Sequence, residues 1–505
     1  MRRGTLKTLI MTGKVELIYP FPRSIPLARA IPVSFYNTEL RYRIRQSFSQ
    51  FLSESSQMTE VNSIITRQVT RRASLGLLAT PLLIPESASG AADKKSPSDR
   101  ITVGVVGVGS RGFNLIDEFL KQADAQIIAV CDVDSLHHRD RPWGQGPAYG
   151  RLPAKRRIDK HYHATTGGVS ITDDFREICH RKDIDAVVVA TPDHWHTLCT
   201  LEALRNGKDV YCEKPITHTF HEGQLVYREV TRQKAVFQTG SQQRSSEEFR
   251  RAVQLVRSGI LGKIQQIEIG LPPGYNKPQG DTNVVTPPDH LDYNQWCGPA
   301  PKLPYMRARH HRWWRGHRAF GGGVLMDWIG HHNDIAHWAM GADNSGPTKV
   351  EAAGWTFPDT NVYDTPHQYE IRCVYESGIQ TSISSNNLLG TKFIGEDGWV
   401  HVTRGHLTAS DKRWTDTKFS IEEAGIYLSE NHARNFLDCI KSRKPCIAPA
   451  ETGHRSITPG HLGYVSNSLG RPLSWDPETE TVTGDEEANM LLQMHNYRKP
   501  WQSGV

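Results

Sequence analysis

No two cysteines of this chain are spaced C-x-x-C, which excludes zinc knuckles and thioredoxin-type redox pairs. The eight cysteines are Cys131, Cys179, Cys199, Cys212, Cys297, Cys373, Cys439 and Cys446. Several lie in apolar runs and read as small buried core residues; a Cys439–Cys446 disulfide stays open. No apolar run reaches the ~20 residues that a membrane-spanning helix needs, and no repeat or coiled-coil register is present. The body of the chain also lacks an excess of positive charge. Residues 1–97 carry 14 Lys and Arg against 6 Asp and Glu, the remainder 46 against 48, so the net +6 divides into +8 for the leader and −2 for the body. A nucleic-acid groove needs clustered cations on a folded surface and is excluded.

What is present is enough chain, 505 residues, for two or three domains with a sizeable core. Residues 1–97 read as a leader, 98–240 as one domain and 241–505 as another. Within the leader, Arg71 and Arg72 precede a weakly apolar stretch, Ala73–Ile84, and then small residues up to Ala92. That order matches a twin-arginine export signal cut near 88–92, with Ser74 where such signals favour Phe. The reading predicts an exported, periplasmic protein, or a cytoplasmic one if the leader is not a signal. Because such signals begin near the true N-terminus, it also predicts translation from Met58.

The run Ile101–Val106 is β-branched, the mark of a buried parallel strand. It enters Gly107-Val-Gly109-Ser110-Arg111-Gly112, then a helical pattern with Phe113, Ile116, Phe119 and Leu120 apolar, then a strand over 125–130 ending at Cys131-Asp132. Gly107 permits the tight turn, Gly109 lets a pyrophosphate approach, and Gly112 lets helix and strand pack closely. Ser110 and Arg111 open the helix whose N–H groups would face the phosphates. Asp132 stands 20 residues past Gly112, where a carboxylate binds ribose hydroxyls and repels a 2′-phosphate, so NAD is expected over NADP. Strands at 185–190 and 209–212 end in Thr191-Pro192-Asp193-His194-Trp195-His196 and Glu213-Lys214-Pro215. Loops beyond such carboxyl ends collect functional groups. Helices are expected over 175–180, 197–206 and 220–233, a strand at 235–238, and a surface loop over 139–168.

These motifs, with Gly321-Gly-Gly-x-x-x-Asp327-x-x-x-His331 downstream, resemble the glucose-fructose oxidoreductase / inositol dehydrogenase / rhizopine-catabolism (Gfo/Idh/MocA) family over residues 100–500. The resemblance implies an α/β protein: an N-terminal Rossmann domain with a parallel sheet, then a C-terminal α/β domain with an open, mostly antiparallel sheet. It further implies NAD or NADP as cofactor, a sugar, inositol or related polyol as substrate, and a homo-oligomer, dimer or tetramer. It makes Lys214, Asp327 and His331 the catalytic group, with Thr191, Pro192, His196, Glu213 and Lys214 beside the cofactor.

The chemistry agrees. Oxidising an alcohol leaves a proton on oxygen; a cation such as Lys214 lowers its pKa and a base such as His331, titrating near neutrality, removes it. Asp327 lies four residues before His331, on the same helix face, and can orient it or hold substrate. His196 reads equally as a chemical or a loop-bonding residue. The stripe Asp327, His331, Asp334, His337 is either a satisfied polar face or a metal site; no metal is expected. Arg307–Arg318, rich in Arg and Trp, reads as a wall of the sugar pocket, under loops spanning 271–320. In the second half a helix is expected at 247–258 and strands at 264–269, 349–355, 368–375 and 380–385, followed by helices and loops. Alternatives are a redox-neutral enzyme whose NAD never leaves, a non-catalytic sugar-binding protein, and a metal-dependent hydrolase or isomerase.

Overall fold

Six short strands build the first sheet: β1 (Ile101–Val106), β2 (Ala125–Cys131), β3 (Ser170–Thr172), β4 (Ala186–Val189), β5 (Asp209–Cys212) and β6 (Phe237–Thr239). They lie in the order 3-2-1-4-5-6, all parallel. That is the dinucleotide-binding order, whose crevice opens between β1 and β4 at their carboxyl ends. The strands are near-continuous apolar runs because both faces are covered. Val103, Val105 and Val188 point into a core with Leu115, Ile116 and Phe119 of helix α1 (Ser110–Leu120). Val187 and Val189 point to the other face, against Leu198 and Cys199 of helix α2 (Asp193–Arg205). The computed structural model describes residues 99–139, 146–164, 167–416, 425–494 and 497–504. The twin-arginine stretch and Met58 lie outside the described residues.

The chain then builds a nine-stranded sheet from β7 (Ile264–Gly270), β8 (Lys349–Thr356), β9 (Gln368–Val374), β10 (Gln380–Ser384), β11 (Gly390–Gly395), β12 (Trp399–Thr403), β13 (His406–Ala409), β14 (Leu473–Asp476) and β15 (Thr481–Val482). Its order is 13-12-11-7-10-9-8-14-15. Only β7 and β10 run parallel; the other pairs are antiparallel. In β9, Tyr369, Ile371 and Cys373 are buried between exposed Gln368, Arg372 and Val374, the alternation of a sheet with one buried face. Helices α3 (Gly323–Met340) and α5 (Ala450–Leu469) pack on that face. Helix α4 (His432–Ser442), far downstream, returns to the first sheet, where Phe436 meets Phe119 edge-on at 6.3 Å.

Several expectations are corrected. Helix α2 starts at Asp193, not 197: after Pro192 the chain turns directly into helix, so Asp193–His196 form its first turn. The expected loop 139–168 contains a helix, Arg151–His161, whose polar surface masked its period; Pro153, Ala154 and Ile158 are buried. Strands β11–β15 lie in the region read as helices and loops with no strand. All eight cysteines are free.

A buried ion cluster ties α3 to the turn before helix Glu247–Arg257. The Arg244 guanidinium, 1% exposed, donates to Asp334 (2.8 and 2.9 Å) and Asp343 (2.7 Å). Removing one member strands a buried charge. Arg244→Met is therefore expected to lower stability by about 3–5 kcal/mol, read as a drop in the thermal unfolding midpoint.

Candidate active site

The glycine turn sits at the β1/β4 crevice with no room for larger residues. Gly107 has φ +84°, and a Cβ there would lie 2.6 Å from the Thr191 backbone nitrogen. A Cβ on Gly112 would lie 2.1 Å from the Gly107 carbonyl oxygen. Gly109, by contrast, faces open space, its nearest neighbour being His137 Nε2 at 3.9 Å. It is the N-cap of α1, and no side chain caps the helix there. Anion-binding N–H groups therefore point at a backbone surface that a ligand can approach.

One cavity of about 750 Å³ is lined by Gly107, Gly109, Ser110, Arg111, Asp132, Thr191, Pro192, His196, Glu213, Lys214, Asp327 and His331. Of the expected site residues, only Gly112, packed beneath the turn, does not line it. These groups fit a dinucleotide on their own chemistry. Thr191 Oγ1 is a buried hydroxyl with no hydrogen-bond partner, and the buried Nη2 of the Arg111 guanidinium has none either. Arg111 Nε donates to Glu213 Oε1 (2.8 Å), joining the glycine helix to the Glu-Lys-Pro turn. Asp132 accepts from the backbone N–H of Val108 (2.8 Å) and of Asp134 (2.9 Å). Each oxygen keeps a lone pair for a ribose hydroxyl. Burial pushes this carboxyl up to about 6, so it is anionic at neutral pH.

At the far end, Lys214 Nζ donates to Asp327 Oδ1 and to the Asp327 carbonyl, both at 2.8 Å. Arg315 Nε lies 3.1 Å from Asp327 Oδ2. Burial alone would raise the Asp327 pKa, but Arg315 and then Lys214 hold it well below the usual carboxylate range. The Asp327 carboxylate thus serves two cations and makes no hydrogen bond to His331. His331 Nδ1 is buried without a partner. Burial, then Lys214, pushes the imidazole well below its ordinary value. This corrects the expectation that His331 titrates near neutrality: it is neutral there, with its lone pair intact. His196 sits in the wall, with Nδ1 2.7 Å from the Pro215 carbonyl and Nε2 2.9 Å from the Thr191 carbonyl. It braces the two strand-end loops.

The metal alternative for the α3 stripe is also corrected. Asp327 pairs with Lys214 and Arg315, Asp334 with Arg244, and His337 Nε2 lies 2.8 Å from the Tyr375 hydroxyl, so the four side chains do not converge. Arg315 and Asp193 also line the cavity. Arg315 lies in a 3-10 turn with no readable period, inside the segment read as a pocket wall. Asp193 is buried at the start of α2; burial, against Arg315, pushes its carboxyl up to about 8, so it is protonated at neutral pH.

Burial also holds His194, His337 and His432 down at about 4, and His218 and His317 at about 3. The folded state then binds fewer protons than the unfolded one, whose histidines titrate near 6.5. Their contribution is present above pH 6.5 and is lost as pH falls toward 4. Asp132 and Asp193 act oppositely, losing stability as pH rises through their raised values. The five histidines outnumber them, so the thermal midpoint is expected to fall steadily from pH 6.5 to 4. A flat profile would contradict their neutral burial.

Residues 101–241 match the model of an oxidoreductase family with an NAD-binding Rossmann fold, and 246–503 match that family's C-terminal alpha/beta domain. The chain belongs to the Gfo/Idh/MocA oxidoreductase family. A glycosyl hydrolase family 109 protein of Saccharopolyspora erythraea is 32% identical over 168 residues, 33% of this chain and 34% of that one. The chain thus spans about a third of that relative's length. The uncharacterized oxidoreductase YrbE of Bacillus subtilis is 23% identical over 328 residues, 64% of this chain and 77% of that one. Among solved structures, WlbA dehydrogenase from Bordetella pertussis, in complex with NADH and UDP-GlcNAcA, superposes with TM-score 0.53 at 17% identity, over 75% of this chain and 99% of that one. Aldose-aldose oxidoreductase from Caulobacter crescentus, complexed with glycerol, gives 0.52 at 18%, over 74% and 99%. At these identities the likeness shows the fold. No described helix is long and apolar enough to cross a membrane.

Proposed function

We propose that this oxidoreductase uses NAD to move hydride at a secondary alcohol of a sugar, inositol or related polyol. The observation that carries the reading is Lys214 Nζ, held at 2.8 Å on Asp327 in the cavity that the glycine turn opens. A nicotinamide bound at that turn supplies the hydride acceptor. Lys214 Nζ offers a cation to the hydroxyl oxygen and favours its alkoxide form. His331, neutral with Nδ1 unbonded, takes the proton. Asp327, itself paired with Arg315, holds Lys214 in place, and Trp314 and Trp328 line the same cavity. The anionic Asp132 supports NAD over NADP. In this reading the exposed side of β9 is a subunit contact of a dimer or tetramer, and the leader exports the folded, cofactor-loaded protein.

A panel of sugars and polyols, followed at the nicotinamide absorbance, tests the reading. It expects NADH formation with at least one polyol. A second, redox-neutral reading is favoured by the relatives named as glycosyl hydrolases. A hydroxyl oxidised transiently to a ketone acidifies the neighbouring C–H, a glycosidic oxygen β to the ketone leaves, water adds, and the hydride returns. That reading expects glycoside cleavage with bound NAD and no net NADH. Protein that neither reduces NAD nor cleaves any glycoside would contradict both.

A further inference from the structure

Beside the cofactor end of the cavity, four histidines that the proposed reaction does not use gather around one buried carboxylate. Asp134, two residues past the β2-end acid, is fully buried. Its Oδ1 lies 2.9 Å from His290 Nδ1 and accepts from the Leu136 N–H at 3.1 Å; its Oδ2 lies 3.1 Å from His311 Nε2 and 3.6 Å from His137 Nδ1. One ligand atom each from Asp134, His310 and His311 lies within 4.8 Å of the others. His310 is fully buried, and neither of its ring nitrogens has a hydrogen-bond partner; His137 Nδ1 has none either. The rings are crowded: His311 stacks on His137 at 3.6 Å and meets His310 at 3.5 Å between centroids.

We propose that Asp134, His310 and His311, with His137 and His290 at the rim, bind one late divalent transition-metal ion of the zinc class. Imidazole nitrogens with a single carboxylate are ligands of zinc and its neighbours, not of calcium or magnesium. Bonds of about 2.1 Å put tetrahedral ligand atoms about 3.4 Å apart, within the observed spread. A bound ion satisfies the orphaned His310 nitrogen and the buried carboxylate together. The nearby cations are engaged elsewhere, Arg307 Nη2 on the carbonyls of His138 and Arg139, Arg151 Nη1 on the Asp132 carbonyl.

The site joins three separate pieces of chain. The end of β2 meets the loop before helix Tyr293–Cys297 through a bridge between Asp134 and Leu291 and through N–H bonds from Ser135 to His290 and from Asp292 to Val133. The ion would add His310 and His311, whose neighbours Arg312, Trp314 and Arg315 line the cavity. It therefore clasps the pocket-lining loop onto the cofactor domain.

The test uses the full-length protein, treated with chelator and titrated with zinc chloride alone. One zinc per chain is expected by elemental analysis, with a higher thermal midpoint. Cobalt in its place should give the visible d–d bands of a low-coordinate site. His310→Ala/His311→Ala should lose the ion, Asp327→Asn should keep it, and His290→Gln should weaken it by about tenfold or more with unchanged circular dichroism. His290→Gln keeps the test open if the double variant does not fold. Absence of saturable zinc binding overturns the proposal. So does full stoichiometry in the double variant, unchanged affinity in His290→Gln, or loss of the ion on Asp327→Asn.

Discussion

Replacing Lys214 with Met is expected to lower turnover by about 10³-fold or more while leaving NADH affinity within about twofold. Met keeps the length and bulk of the stem but loses the ammonium. The stem still fills the gap beside Gly330, whose absent Cβ would sit 3.5 Å from the Lys214 Cβ. Asp327 keeps Arg315 as partner, so its charge is not stranded and folding is spared. What disappears is the cation beside the reacting hydroxyl. NADH binding, followed by fluorescence titration, separates this from a binding defect. Turnover within tenfold of the parent would place the chemistry elsewhere in the cavity.

Gly112→Val should abolish dinucleotide binding, weakening it by at least 100-fold, about 3 kcal/mol. Here the first added carbon already lies 2.1 Å from the Gly107 oxygen, and that neighbour is backbone, which cannot swing aside. The turn must open or α1 must retreat, and either displaces the N–H groups that face the phosphates. Gly167 serves as control: its φ is positive (+77°), and an added Cβ meets nothing within 4 Å. Gly167→Ala should strain only its own backbone and leave NADH affinity unchanged. Equal loss in both variants would mean that general instability, not the turn, governs binding.

The residues that announced themselves in the sequence did so through local physics. β-Branched runs marked β1, β2 and β4 because strands buried on both faces admit little else. Helix Phe220–Gln233 stands at its expected bounds, and the structure closes its start with a capping box between Thr219 and Glu222. The glycine turn and Lys214 were readable for the same reason, each being fixed within one loop. What stayed hidden depends on distant partners. Helix α5 contains Pro459 and several glycines, residues of low helix propensity; Gly460 is there because a Cβ would come within 2.4 Å of the Met326 sulfur. Asp334 reads from the sequence either as part of a satisfied polar face or as a metal ligand; its partner is Arg244, 90 residues away. Arg315 reaches Asp327 from a 3-10 turn, and Asp193 enters the cavity from a helix start; neither carries a period. The His331 pKa followed from burial, which no spacing reveals.

The most direct measurement is native mass spectrometry of the purified chain, before and after incubation with NAD. One dinucleotide per chain, carried through purification or acquired on incubation and absent from Gly112→Val, is the expected result. Protein that stays at its bare mass in saturating NAD would mean that the glycine turn seats no pyrophosphate, and Lys214 would then have no hydride acceptor to work beside.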